Sequence, residues 1–127
     1  TLWRRWQQNA YRRAALQECD DIEREITAKS DYRTAAIRIA TLLKRTALSV
    51  FPRAEVAPLS GDAWILFLES KASEARFSIA SSQLLIEASF RENPPDNQSD
   101  VARLLDEARR WIRKHQRPNA ASGGEHA

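Results

Sequence analysis

Few residues in this sequence could carry chemistry: His115, His126, the single Cys19, and a run of acids at Glu18, Asp20, Asp21, Glu23 and Glu25. A general base needs a group that orients it, and a cysteine nucleophile needs a base within reach. Neither histidine has a carboxylate or cysteine at a useful spacing, and no H-x-x-x-H pattern brings two imidazoles together for a metal. His115 falls at a frayed helix end and His126 in the tail. Cys19 falls on an apolar stripe, where a thiol packs as a small hydrophobe. The acids lack the glycine turn and alternating oxygen ligands of a calcium loop, and read as a solvated helix face. Gly61 stands alone and Gly123-Gly124 sit in the tail, so no glycine-rich loop can cradle a phosphate. The expectation is a protein that is not an enzyme, with no catalytic residue, no metal, no cofactor and no small-molecule substrate.

Binding is the better-supported class. The stretch FPRAEVAPLSGDAWILFLE can be read as a turn followed by a recognition helix. Such a helix should offer Arg, Lys, Asn or Gln near its N-terminus to reach base edges. Here that tip is Gly61, Asp62, Ala63 and Trp64. Arg38, Lys44 and Arg45 could touch a phosphate backbone, so a helical nucleic-acid-binding module stands as the alternative.

The opening TLWRRWQQNAYRRAA points elsewhere. Trp and Tyr prefer the bilayer interface, and arginines just past a spanning helix set its orientation. Trp3, Arg4, Arg5 and Trp6, followed by Tyr11, Arg12 and Arg13, have the order of an aromatic belt and a basic collar. These residues are the expected membrane-proximal collar.

The elements that must position these groups are helical. The 127 residues suffice for one domain with a real core, and three glycines and five prolines suit helices joined by short loops. Apolar positions recur every three or four residues from Leu2 to Ala28 (Tyr11, Ala15, Cys19, Ile22, Ile26) and from Tyr32 to Val50. Phe51-Pro52 ends the second helix. Ser60 caps a third, whose Trp64, Leu66, Phe67 and Leu68 form a face too apolar for water. Residues 77–90 fit a helix with an extended start, and Ser99 caps a last one with Val101, Leu104, Leu105, Ala108, Trp111 and Ile112 inward. The fold class is all-α, a compact bundle of about five helices. Residues 1–28 form a basic juxtamembrane helix continuous with the domain, 29–117 its core, and 118–127 a disordered tail.

Net charge is +3 and the sequence pI is about 9.4, yet the charge is blocked. Residues 1–15, 32–58 and 109–127 each carry +4, while 16–31 and 77–108 each carry −4. Alternating blocks predict helices that attract one another, or separate basic surfaces.

Several phrases together, WRRW…YRRAALQE, ATLLKRTALSVFPRAEVAPLSGDAWILFLE, FREN and LLDEARRWIRKH, resemble an uncharacterised bacterial family of small membrane-anchored proteins. It is a domain of unknown function encoded beside MoxR-type AAA+ ATPases and von Willebrand A domain proteins in Bat-type aerotolerance operons. The resemblance implies a spanning helix before Thr1, an inner-membrane location with the domain facing the cytoplasm, and those two proteins as partners. It implies no activity. Its most specific part is the centre, Leu42-Leu43, Ala47-Leu48, Phe51-Pro52-Arg53, Val56, Leu59, Gly61, Trp64 and Phe67-Leu68. Within it Phe51, Pro52, Leu59, Gly61 and Trp64 are the expected structural corner, with Trp64 folded back over Phe51 and Leu59. Exposed Arg53, Glu55 and Asp62 around that corner are the candidate partner surface.

Overall fold

The computed structural model describes residues 2–90 and 96–116, with side chains from Asn9 onward. Six helices are present among them: α1 Leu2–Lys29, α2 Tyr32–Val50, α3 Arg53–Val56, α4 Gly61–Lys71, α5 Ile79–Ser89 and α6 Gln98–Lys114. The all-α expectation holds, and α3 is the single turn in the connector. The expected tail, the FREN tract beyond Phe90 and His126 lie outside the described residues.

Local chemistry sets the boundaries. Ser30 turns into the left-handed region at φ 54° and its amide donates to the Ile26 carbonyl, closing α1. Asp31 then caps α2, accepting from the Thr34 amide at 3.1 Å. Hydrogen bonds from Thr34, through its side chain and its backbone, hold the Asp31 carboxyl below its ordinary range. At the far end Phe51 is extended, as a residue before proline must be. Ser78 caps α5 by accepting from the Ser81 amide. The cap of α6 is Asn97, whose side chain accepts from the Asp100 amide at 3.0 Å. Ser99, the expected cap, instead lies inside the first turn.

Helix α2 occupies the middle and packs against α1, α3, α5 and α6. Ala35, Ala36, Ile39, Leu42, Leu43 and Ala47 are buried along it. Its many alanines let neighbouring helices approach closely, while leucines fill the spaces between them. Helix α6 is the most sharply amphipathic of the set, and its expected stripe, Val101 through Ile112, is buried throughout. The Trp111 indole N–H donates to the Leu68 carbonyl at 2.7 Å, tying α6 to α4. The apolar face expected on α4 is not wholly covered, since Leu66 is 67% exposed, and Ile79 at the start of α5 is 83% exposed. Helices α4 and α5 are apolar on most sides, so burying Trp64, Ile65 and Leu68 on one, and Leu84 and Leu85 on the other, leaves apolar residues outside.

Truncation should separate these environments. Leu43→Ala, at a fully buried site, should cost about 2–5 kcal/mol in urea unfolding, whereas Leu66→Ala should stay within about 0.5 kcal/mol. Equal losses would mean that Leu66 is covered in solution.

Candidate functional site

The acids of α1 are not merely solvated. Glu18 pairs with Arg45 of α2 at 2.6 Å, and Glu25 pairs with Arg38 at 2.5 Å. On the other flank Asp20 and Glu23 both meet Arg109 of α6, at 2.9 and 2.5 Å. Burial works against the Arg109 charge, but the hydrogen bonds it donates to Glu23 and Asp20 outweigh it and hold the guanidinium more firmly protonated. The charge blocks therefore act as helix-to-helix attraction. Between the flanks Cys19 is fully buried, as expected of a core thiol.

The collar residues divide. The side chains of Trp3, Arg4, Arg5 and Trp6 lie outside the described residues. Arg13 is exposed. Tyr11 and Arg12 are engaged with the end of α6, where the Tyr11 hydroxyl hydrogen-bonds the His115 Nε2. The Arg12 guanidinium donates to the carbonyls of Ile112 at 2.5 Å and Arg113 at 2.9 Å. It thereby supplies a positive group to carbonyls that a helix C-terminus leaves unpaired. His115, expected at a frayed end, is only 3% exposed. Its ring stacks on Trp111 with centroids 4.4 Å apart, and Phe51 meets its edge at 6.2 Å. The Trp111 carbonyl, 3.0 Å from His115 Nδ1, can only accept. The Arg12 guanidinium also lies 3.5 Å from Nδ1, so the imidazole is held between the Tyr11 hydroxyl at Nε2 and the Trp111 carbonyl and Arg12 at Nδ1. This latch joins residues about a hundred positions apart, which no local pattern displays.

The corner holds together differently from the expectation. Trp64 reaches Phe51 through Phe67, stacking on it at 6.0 Å while Phe51 meets Phe67 edge-on at 5.4 Å. Pro52 precedes α3. Gly61 takes φ +58°, a left-handed entry that suits glycine. Ser60, at the cap position, makes no side-chain capping bond. Arg53, Glu55 and Asp62 are exposed, as a contact surface requires.

Beside the corner lies a feature the sequence did not announce. A groove of about 380 Å³ runs between α2, the entry to α4 and the end of α5, lined by Lys44, Leu48, Leu59, Gly61, Trp64 and Phe90 among others. Lys44 donates to the Leu59 carbonyl at 2.8 Å and sits 4.4 Å over the Trp64 ring. Burial pushes its ammonium below the ordinary lysine range. No carboxylate among the described residues forms an ion pair with it. The Trp64 indole N–H is buried with no acceptor.

Over residues 1–114 the chain matches the family described as a domain of unknown function, DUF4381. The protein belongs to this family. No curated protein and no solved structure matches it. Among the described residues of this DUF4381 domain, no three His, Cys, Asp or Glu side chains gather as a metal site.

Two tests follow from the latch and the buried thiol. Arg12→Ala and Tyr11→Phe should each destabilise the domain, Arg12→Ala more, by about 1–3 kcal/mol in chemical denaturation because carbonyls lose a charged donor. Unchanged midpoints would show that the end of α6 is satisfied without them. Burial raises the Cys19 thiol from 9.0 to about 11, so the native protein should react slowly with a disulfide reagent at pH 8 and quickly once unfolded. The folded state then holds more protons than the unfolded one between those two values. The Cys19 contribution to stability is therefore complete below pH 9 and falls as pH rises toward 11. The stability gap between wild type and Cys19→Ala should shrink across that window, and fast native labelling would contradict both expectations.

Proposed function

We propose that this protein is the non-catalytic, cytoplasmic interaction domain of a single-pass bacterial inner-membrane protein, which assists a MoxR-type AAA+ ATPase and a von Willebrand A domain protein. The observation that carries this reading is the end of the molecule where α1 and α6 meet. Arg12 grips the last turn of α6, which brings Arg113 and Lys114 beside Arg12 and Arg13. Two segments far apart in sequence thus concentrate cations at the end from which the WRRW tract extends. Basic groups near an anionic leaflet are each worth about 1 kcal/mol, so such an end suits the inner face of a membrane.

Continuity of α1 supports the same reading. At 1.5 Å per residue, Trp3 stands about 12 Å further along the helix axis than Tyr11. The tract of the aromatic belt would then continue, without a flexible joint, into a helix fastened to the core by Arg38, Arg45 and Arg109. A spanning helix before Thr1 would hold the domain at a fixed height and orientation. Among the described residues no helix is long and apolar enough to cross a membrane, so attachment would come from outside them. The function proposed is tethering: the basic end faces the lipid, and the corner with Arg53, Glu55 and Asp62 faces the partners. The nucleic-acid alternative gains no specific support, because the exposed tip of α4 carries Asp62 and not a base.

The full-length protein should fractionate with membranes, and a C-terminal fluorescent fusion that matures only in the cytoplasm should glow. A C-terminal phosphatase fusion that is active in the periplasm would reverse the orientation and end the proposal. The ATPase encoded nearby should co-purify with the full-length protein, and Arg53→Glu or Asp62→Arg should weaken its recovery. Retention of the ATPase by both variants would move the partner surface elsewhere.

A further inference from the structure

The groove beside the corner has a specific imbalance. Its walls are apolar, from Leu48, Leu59, Trp64 and Phe90, and Phe90 is 56% exposed at its mouth. Its charged side chains, Lys44 and Arg45, are both cations, and its other polar side chains are the neutral hydroxyls of Thr41, Ser60 and Ser89. Lys44 reaches one carbonyl and no carboxylate. Arg45, which also lines it, shares its only ion pair with Glu18 on the far flank. At the entry to α4 Ser60 makes no side-chain capping bond, while Asp62 supplies the acid of the first turn and lies outside the groove lining. No aspartate or glutamate lines the groove. A groove that gathers cations, apolar walls and exposed aromatic area without a carboxylate lacks the complementary half of an interface.

We infer that this groove docks a peptide segment of a partner protein that presents a large apolar side chain with a carboxylate beside it. The apolar group would enter between Leu48, Leu59 and Phe90, and the carboxylate would lie against Lys44. The volume suits one or two large side chains, which is more than a bare anion needs to fill. An aromatic at the rim such as Phe90 is typical of surfaces that anchor a peptide. This deepens the interaction-domain reading, but it depends on neither the membrane nor the ATPase, so failure of the fusion and co-purification tests would leave it standing.

A random twelve-residue peptide library displayed on phage, selected on the full 127-residue chain, tests it directly. Selected peptides should be enriched in Asp or Glu next to Leu, Phe or Trp. In titration calorimetry with a synthetic selected peptide, Lys44→Glu and Phe90→Ser should each weaken binding by about tenfold or more. Arg103→Glu, an exposed cation of α6 outside the groove, should change it less than about twofold. Amide shifts in nuclear magnetic resonance spectra should cluster at Lys44, Gly61 and Phe90, and circular dichroism should show each variant folded. The inference is overturned by failure to select any peptide, by selected peptides without acids, or by binding that ignores both groove substitutions. A concentration-dependent dimer that Phe90→Ser dissolves would overturn it too, since a second copy would then be the occupant.

Discussion

Helix α1 has too narrow an apolar stripe to hold its own position, and much of the arrangement follows from how its neighbours make up the difference. Its fully buried side chains are Cys19 and Ile22, with Ala15 close behind, roughly one residue per turn. Acids flank that stripe on both sides. Helix α2 answers one flank with Arg38 and Arg45, and α6 answers the other with Arg109. Partly exposed pairs of this kind each contribute little free energy, about 0–1 kcal/mol. Their effect is on register. Rotating α1 by one residue, about 100°, would carry its acids from these arginines toward the leucines of the core. Misplacement is penalised by far more than correct placement gains.

Once α1 is fixed, its basic N-terminal half decides how the chain ends. Arg12 meets the last carbonyls of α6, and Tyr11 meets His115, which lies flat on Trp111. With the end of α6 held, the Gln116 amide donates to the Lys71 carbonyl at 2.8 Å, and the Trp111 indole reaches Leu68. Both bonds anchor the C-terminal part of α4. Its N-terminal part has no comparable clamp, and touches α2 through Lys44 bridging to Leu59 and Trp64. The groove therefore opens where α4 is least constrained, at the end opposite its anchors.

How legible this was depended on whether the deciding partner was close in sequence. The limits of α2 were legible because a strict period runs into Asp31 at one end and Phe51-Pro52 at the other. The stripe of α6 was legible because it is sharply amphipathic. Leu66 and Ile79 were not, because a helix apolar on most sides gives periodicity no face to select. The α6 cap could not be chosen between Asn97 and Ser99 on chemistry alone, since both are good caps; tertiary contact favoured the earlier one, where the Asp96 side chain accepts from the Tyr32 amide. His115 was the largest miss. A histidine ahead of Gln-Arg-Pro reads locally as a fraying end, and distant partners, Tyr11 104 residues away and Phe51, help make it a core residue. The groove was invisible for the same reason, because three separate segments contribute to it.

Charge accounting connects the two surfaces. The net +3 is small, yet pairing removes charge unevenly. Within the +4 block of residues 32–58, Arg38 and Arg45 are matched by α1, while Lys44 has no carboxylate partner. Within the C-terminal block Arg109 is matched, while Arg113 lies exposed near Arg12 and Arg13. Cations without a carboxylate partner remain at several places, two of which differ in character. The end shared by α1 and α6 presents exposed cations such as Arg13 and Arg113, a surface suited to diffuse, flat negative charge. The groove presents one poorly hydrated cation amid apolar walls, which discriminates against any anion that cannot also fill them. Because the two demands differ, an anionic surface at one end would not compete with a peptide in the groove, and one domain can be held in place by the first while it selects a partner with the second.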